Sequence, residues 1–358
     1  MCTRRNFLSG ALAACICPTW ARGAGGSLPS PGPDDRAARD MVTAGAQEAI
    51  DQGIGYLVKN QRSDGSFGTG QHVGNVAITS LAGLALMAGG HLPGQTPLGK
   101  TVLGALEFVL NQEEGHRGYL YNKAGTPHGP MYGHGFGTLF LAELYGMVHV
   151  RRARDRLRST LKRAVELIIA SQNAKGGWRY YPESTDADIS VTICQIMALR
   201  AARNAGLSVP KTTVERCIKY VKSCQEPEGG FRYMDHGGAA AFARTAAGVV
   251  ALYSAGLYRD PAIERGLKYL SRYKPRKDLP RHDVHYFYGQ YYAAQAMWTA
   301  GGAYWSEWYP AIRDELIGKS RPAESVRSWV DAICPHYATA MACIILQIPN
   351  NYLPILQK

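Results

Sequence analysis

The sequence predicts an all-α chain in which six helical hairpins, repeating about every 52 residues, close into two concentric rings. Three observations carry this. First, a helical segment ending in Gln, then a turn, then Gly with an aromatic recurs at Tyr56 to Phe67, Phe108 to Tyr119, Leu167 to Trp178 and Tyr220 to Phe231, with Gln-to-aromatic distances of 6, 7, 6 and 6 residues. Second, a Thr seven positions ahead of a large apolar residue follows at Thr79, Thr138, Thr192, Thr245 and Thr339, and Gln290 takes this place in the fifth unit. Third, the two helices of a unit differ in composition. The first kind, such as Leu161 to Gln172, carries charge on one face and belongs at the surface. The second, such as Ile189 to Ala202 or Ala239 to Ala255, has few charges and many small residues and must be enclosed by protein.

Taken in chain order, Thr3-Arg4-Arg5-Asn6-Phe7-Leu8 precedes a short apolar stretch, Ser9 to Cys17, and together they resemble a twin-arginine export signal over residues 1–24. Cleavage after Ala21 and lipidation at Cys15, within Leu12-Ala13-Ala14-Cys15, are both open. The expected location is therefore outside the cytoplasm, periplasmic or lipid-anchored. The Gly- and Pro-rich run Gly23 to Pro33 reads as the start of a linker spanning 25–44. The ring domain then occupies 45–358, its inner helices marked at 79, 138, 192, 245, 290 and 339. In each unit the aromatic should pack in the turn between helices, and the Gln amide should bond to backbone groups exposed at helix ends.

A chain with 46% hydrophobic and 19% charged residues buries a real core, and no apolar run approaches the roughly 18 residues of a membrane span. The net charge of +12 gathers in two blocks, Arg151 to Arg163 and Arg265 to Arg281. These read as solvated helix faces or as a surface attractive to anions, and no nucleic-acid motif accompanies either. Past the signal the cysteines are Cys194, Cys217, Cys224, Cys334 and Cys343, without zinc-site spacing. Cys217 and Cys224 lie about 10 Å apart along one helix, too far to pair, so buried thiols are expected.

The Gln-x3-Gly-Ser-Phe segment at 61–67 and the Gln-x4-Gly-Trp segment at 172–178, with hairpins repeating near every 50 residues, resemble the prenyltransferase and squalene-cyclase repeat over residues 45 to 350. The resemblance implies an (α/α)6 toroid, with the N-terminal ends of the inner helices gathered at one mouth of a central cavity. Candidate site residues then lie just ahead of the markers: Asn75, His134, Asp186, Asp188, Arg244, His285, Tyr286 and His336.

Asp186-Ala187-Asp188-Ile189-Ser190 resembles the D-x-D-D-T segment of class II terpenoid cyclases. By that match Asp188 is the proton donor and Asp186 its partner, with Ile189 in place of a third Asp. Aromatic walls would come from Tyr132, Phe136, Tyr286, Tyr288, Tyr291, Tyr292 and Trp298. Against zinc-dependent prenyltransferases, Asp188-Ile189-Ser190 falls at their Asp-x-Cys and Asp283-Val284-His285 at the segment with their His ligand. Ser190 replaces the thiolate, so a zinc site of the Asp, Cys and His type is not expected; a cluster of His134, Asp188, His285 and His336 is the alternative, and no metal and no cofactor are assigned. Asp188 also suits the N-cap of the third inner helix.

The first functional expectation is an exported enzyme of terpenoid-cyclase or prenyltransferase type acting on an apolar isoprenoid. The second is a non-catalytic ring that binds a lipid, glycan or protein partner at its rim. The third is a polysaccharide hydrolase or lyase, which needs two carboxylates about 5 to 10 Å apart.

Overall fold

The computed structural model describes residues 38–113, 115, 117–276, 285–323 and 326–357. The signal-like segment, Cys15, most of the linker and Asp283 lie outside the described residues. Six outer helices, α1 (Ala44–Lys59), α3 (Gly99–Asn111), α5 (Arg151–Ala170), α7 (Lys211–Ser223), α9 (Pro261–Ser271) and α11 (Gly302–Lys319), alternate with inner ones. The inner six are α2 (Val76–Ala88), α4 (Pro130–Leu144), α6 (Ile189–Asn204), α8 (Phe242–Ser254), α10 (Tyr286–Ala300) and α12 (Pro335–Gln347). One short antiparallel pair, β1 (Arg321–Ala323) and β2 (Val326–Ser328), precedes α12. Each inner helix packs on the next and α12 returns to α2, so the inner ring is closed. This close packing depends on small residues: a Cβ at Gly135 of α4 would stand 2.7 Å from the Cβ of Cys194 on α6.

Most outer helices pack chiefly on the inner helix preceding them in the ring rather than on the one that follows in their own unit; α3 lies on α2, α9 on α8, α11 on α10 and α1 on α12. Connection length is the reason where the chain joins the two helices; α1 and α12 lie at opposite ends of the chain and meet through ring closure. Inner-to-outer links are short, 145–150, 205–210, 255–260 and Gly301 alone, whereas outer-to-inner links such as 171–188 carry the whole Gln and Gly-aromatic turn. Short links force antiparallel neighbours into contact.

The repeat has a hydrogen-bond explanation. The Thr hydroxyl of four inner helices accepts the backbone N–H of the turn aromatic: Thr79 from Phe67, Thr192 from Trp178, Thr245 from Phe231 and Thr339 from Trp329, at 2.9 to 3.1 Å. Gln61, Gln172 and Gln225 each donate to a carbonyl of their own turn and to one in the first turn of the next outer helix, Thr101, Thr213 or Ala262. The second unit departs from this. Gln112 donates only within its own helix, to the Phe108 carbonyl, while Glu113 accepts from the Gly118 N–H and pairs with Arg163. The turn also presses on the neighbouring outer helix. Gly176 sits at φ +96°, and a Cβ there would meet the Arg216 carbonyl oxygen at 2.4 Å. Gly176→Ala is therefore expected to cost ~3 kcal/mol, read as a lowered midpoint in urea at unchanged slope.

The far mouth, at the C-terminal ends of the inner helices, is covered by the chain terminus. Trp298 of α10 donates to the Leu356 carbonyl, Arg200 to that of Gln357 and Asn350 to that of Ala88. The Ile355 N–H is accepted by the buried carboxyl of Glu143. Trp298, proposed above for the cavity wall beside Asp188, thus serves this closure instead. All five described cysteines are free and buried, as the sequence suggests.

Candidate functional site

Asp188 caps α6. Its Oδ1 accepts the Val191 N–H at 2.9 Å, and its own N–H bonds to the Trp178 carbonyl at 3.0 Å. The residues before it are held as firmly, since the Ala187 carbonyl accepts from Tyr220 and that of Asp186 from Asn173. The Ile189 N–H reaches the Tyr233 carbonyl of the next unit, which brings two turns together over the start of α6.

The second carboxylate oxygen, Oδ2, is buried without a hydrogen-bond partner, and the residue as a whole is 0% exposed. Its nearest cation is Arg179, whose Nη1 stands 4.0 Å from Oδ2 and 3.5 Å from Asp186 Oδ2. Burial pushes the Asp188 pKa up to about 6, against the lowering exerted by the Val191 N–H, the Arg179 charge and the nearby Tyr233 hydroxyl. Asp186 is 45% exposed in its side chain and stays on the solvent side of the same guanidinium.

Arg179 lies over the rings of Tyr180 and Tyr233, at 4.8 and 5.4 Å, and the two phenol hydroxyls hydrogen-bond to each other. Arg244 covers the Tyr233 ring at 5.3 Å. From across the ring Tyr288 donates to the Ser190 carbonyl at 3.0 Å. Burial raises the pKa values of the Tyr132 and Tyr288 phenols well above the ordinary tyrosine value, and the Asp188 charge adds to both.

Several residues expected at the rim do not join this group. Asn75 caps α2 and donates to the Gly125 carbonyl. His134 accepts from the Leu120 N–H at Nδ1 and faces the Ala164 carbonyl with Nε2; burial lowers its pKa to about 4, so it is a neutral structural bridge. His336 accepts from the Gly68 N–H and packs against Tyr56 and Phe67. His285 is exposed, with Asp331 as its charged neighbour. Tyr286 has the Lys319 ammonium over its ring at 4.8 Å. Among the described residues no three His, Cys, Asp or Glu side chains form a metal-binding group.

The aromatics expected as a cavity wall pack edge to face against one another. Tyr291 and Tyr292 lie 4.8 Å apart between ring centroids, as do Tyr288 and Tyr292, and Phe136 meets Tyr291 at 6.2 Å. Two hollows, of about 380 and 160 Å3, are lined by residues such as Lys222 and Arg265, and Tyr304 and Glu307. Neither includes Asp188. Arg179, Tyr180 and Tyr233 were not expected in the site. Their signal is the shared run Gly177-Trp178-Arg179-Tyr180 and Gly230-Phe231-Arg232-Tyr233, whose Arg-Tyr half exceeds what turn packing needs.

A toroid with a buried acid at the start of an inner helix defines the class of protein. The sequence profile of the prenyltransferase alpha-alpha toroid domain matches residues 40–274, and the chain belongs to that family. A comparison with curated proteins found no match. Among solved structures, the chain is similar to a variant of the type II terpene cyclase MstE from Scytonema in complex with its substrate, geranylgeranyl dihydroxybenzoate. The TM-score is 0.59 at 14% identity, covering 88% of this chain and 99% of that one. It is also similar to an inactive variant of an alpha-1,6-mannanase of Salegentibacter in complex with alpha-1,6-mannotriose, with TM-score 0.58, 10% identity and coverage of 86% and 98%. A protein from Actinoplanes gives 0.57 at 14% identity, covering 86% and 99%. At these identities the likeness is one of fold.

Proposed function

We propose that the chain is an acid-initiated isoprenoid cyclase or isomerase, with Asp188 as proton donor. The observation that carries this reading is a fully buried carboxyl raised to about pKa 6, its Oδ2 4.0 Å from Arg179 Nη1 and set beside phenol rings. In the step itself the Asp188 O–H breaks and its proton adds to one carbon of a substrate alkene. The carbocation is attracted to the faces of Tyr132, Phe136, Tyr288, Tyr291 and Tyr292, closes onto a second alkene and loses a proton. Product and substrate then have the same mass. The carboxylate left behind is stabilised by the Val191 N–H and Arg179, and recovers its proton from solvent. Ile189, standing where the family pattern has a third Asp, leaves Arg179 as the charged neighbour that tunes this acid.

The test is incubation with squalene and with a geranylgeranyl-substituted phenol, followed by mass spectrometry for isomeric cyclic products. Wild type should form one and Asp188→Asn none. Because the reactive form is protonated, the rate should fall about tenfold per pH unit above pH 6. Identical products from both proteins, or none from either, would overturn the assignment.

The packed Tyr288, Tyr291 and Tyr292 cluster favours a second reading, a non-catalytic ring that binds a partner at its rim, because an isoprenoid enters only if these rings move. The polysaccharide reading is weaker: Asp186 and Asp188 share one arginine, and a polar glycan needs an open cleft at both acids. We also propose, from Arg4, Arg5 and the apolar stretch after them, that the protein is exported by the twin-arginine route. Cell fractionation of the wild type and of an Arg4→Lys, Arg5→Lys double variant tests this, and equal distribution of the two would refute it.

A further inference from the structure

We propose that the ring face opposite Asp188, where the inner helices end, docks on an anionic membrane surface. Among the described residues six large apolar side chains are exposed; Tyr181, Val330 and Ile333 stand in outer-to-inner connections, and the other three follow the C-terminal ends of alternate inner helices. Val150 follows α4, Tyr258 follows α8 and Tyr352 follows α12, with 66%, 44% and 48% of their surfaces exposed.

Each has arginine beside it. Arg151, Arg152 and Arg154 are exposed directly after Val150, Arg259 follows Tyr258, and Arg39 lies over the Tyr352 ring at 5.7 Å. Acidic side chains on this face leave most of that charge unopposed. Asp155 approaches Arg151 alone, at 3.8 Å, Asp260 is held by Lys222 at 2.6 Å, and Asp40 is exposed near the chain's entry. Local stability does not explain the pattern. Val is a poor N-cap, α5 has no side-chain cap, and arginines in a first turn oppose the helix dipole. Residues that cost a helix stability and return only the exposed Arg151–Asp155 ion pair point to an external role.

Apolar and aromatic side chains spaced among arginines suit a lipid interface, where rings enter the headgroup layer and guanidinium groups meet lipid phosphate. The chain before the ring also joins at this face, since Ala38 is buried and Arg39 meets Tyr352 there. The far mouth is already closed by Leu353 to Leu356, so docking leaves the Asp188 mouth turned away from the membrane and takes nothing from the axis.

The experiment is co-sedimentation of the full chain with vesicles of phosphatidylcholine alone and of equal parts phosphatidylcholine and phosphatidylglycerol. It compares wild type with an Arg151→Glu, Arg152→Glu, Arg154→Glu variant and with Val150→Asp. The amino-terminal segment is common to all, so differences between proteins are the readout. Partitioning onto the anionic vesicles should fall on the order of a hundredfold in the triple variant and severalfold in Val150→Asp. The wild-type advantage should shrink as salt is raised. Lys162→Glu, on the mid-part of α5, should change little, and circular dichroism should show all variants folded. Equal binding of wild type and the folded triple variant, or equal wild-type binding to neutral and anionic vesicles, would overturn the proposal. This outcome is separate from the cyclisation assay, which reads Asp188.

Discussion

Asp188→Asn is expected to melt about 5 °C above the wild type at pH 8 while losing acid chemistry. Asn keeps the acceptor that caps α6 through the Val191 N–H but carries no charge into the buried site. The Asp188 carboxyl moves from its ordinary value of 3.8 to about 6 on folding, so the fold holds this proton more tightly than the unfolded chain does. Below pH 4 both states are protonated and the acid costs nothing. As pH rises from 4 through 6 the unfolded chain ionises readily and the fold resists, so wild-type stability falls by about 3 kcal/mol and then levels. The Asn variant has no such slope. Its advantage should therefore be absent near pH 4, grow between pH 4 and 6 and stay constant above. Calorimetry of both proteins across this range tests it, and a difference in melting temperature that does not vary with pH would remove the case for a strained, protonatable Asp188. Arg179 keeps Asp186 at 3.5 Å, so the substitution does not orphan the guanidinium.

The fold is legible in the sequence because its repeat is made by local chemistry. Thr192 at a fixed distance from Trp178, and Gln172 ahead of both, mark the same hydrogen bonds in each regular unit, so spacing alone locates helices and turns. The exception is also physical. In the second unit Glu113 accepts from the turn where Gln donates to it elsewhere, His134 takes the acceptor role of Thr, and a histidine that reads as a rim ligand is in fact holding a backbone amide. The site is less legible. Asp188 could be found, because an acid at the start of an inner helix has a position fixed by the helix itself. Arg179, Tyr180 and Tyr233 could not be found by position, because they come from turns whose aromatics already had a sufficient packing role. Which side of the turn the next residue faces depends on the neighbouring unit. Arg232 shows this: it holds the same place as Arg179 in its run, yet donates to the carbonyls of Ser223 and Asp235 and meets no acid of the site. Contacts across the ring, such as Tyr288 to Ser190, depend on closure between chain segments 98 residues apart, and no local pattern encodes them.

Trp178→Ala should be the most damaging single change in the ring, costing ~5 kcal/mol and lowering the melting temperature by ~8 °C. The indole is among the largest fully buried side chains, and its Nε1 donates to the Ile168 carbonyl near the end of α5 at 2.7 Å. Its removal leaves a large cavity between α5 and α6 and an unpaired carbonyl at a helix end. Trp178→Phe separates the two terms, since it keeps most of the volume and the backbone bond to Thr192 while losing the Ile168 bond, and should cost ~2 kcal/mol. The effect reaches the site because the Asp188 N–H is held by the Trp178 carbonyl at 3.0 Å. With Ala in place, the turn relaxes toward the cavity and Asp188 loses its fixed approach to Arg179. With Phe, both stay. Trp178→Ala should therefore abolish the pH-dependent stability that Asp188 confers, whereas Trp178→Phe should retain it at lower overall stability. If both variants keep the full pH 4 to 6 slope, the turn does not position the acid, and the Asp188 pKa is set by the start of α6 alone.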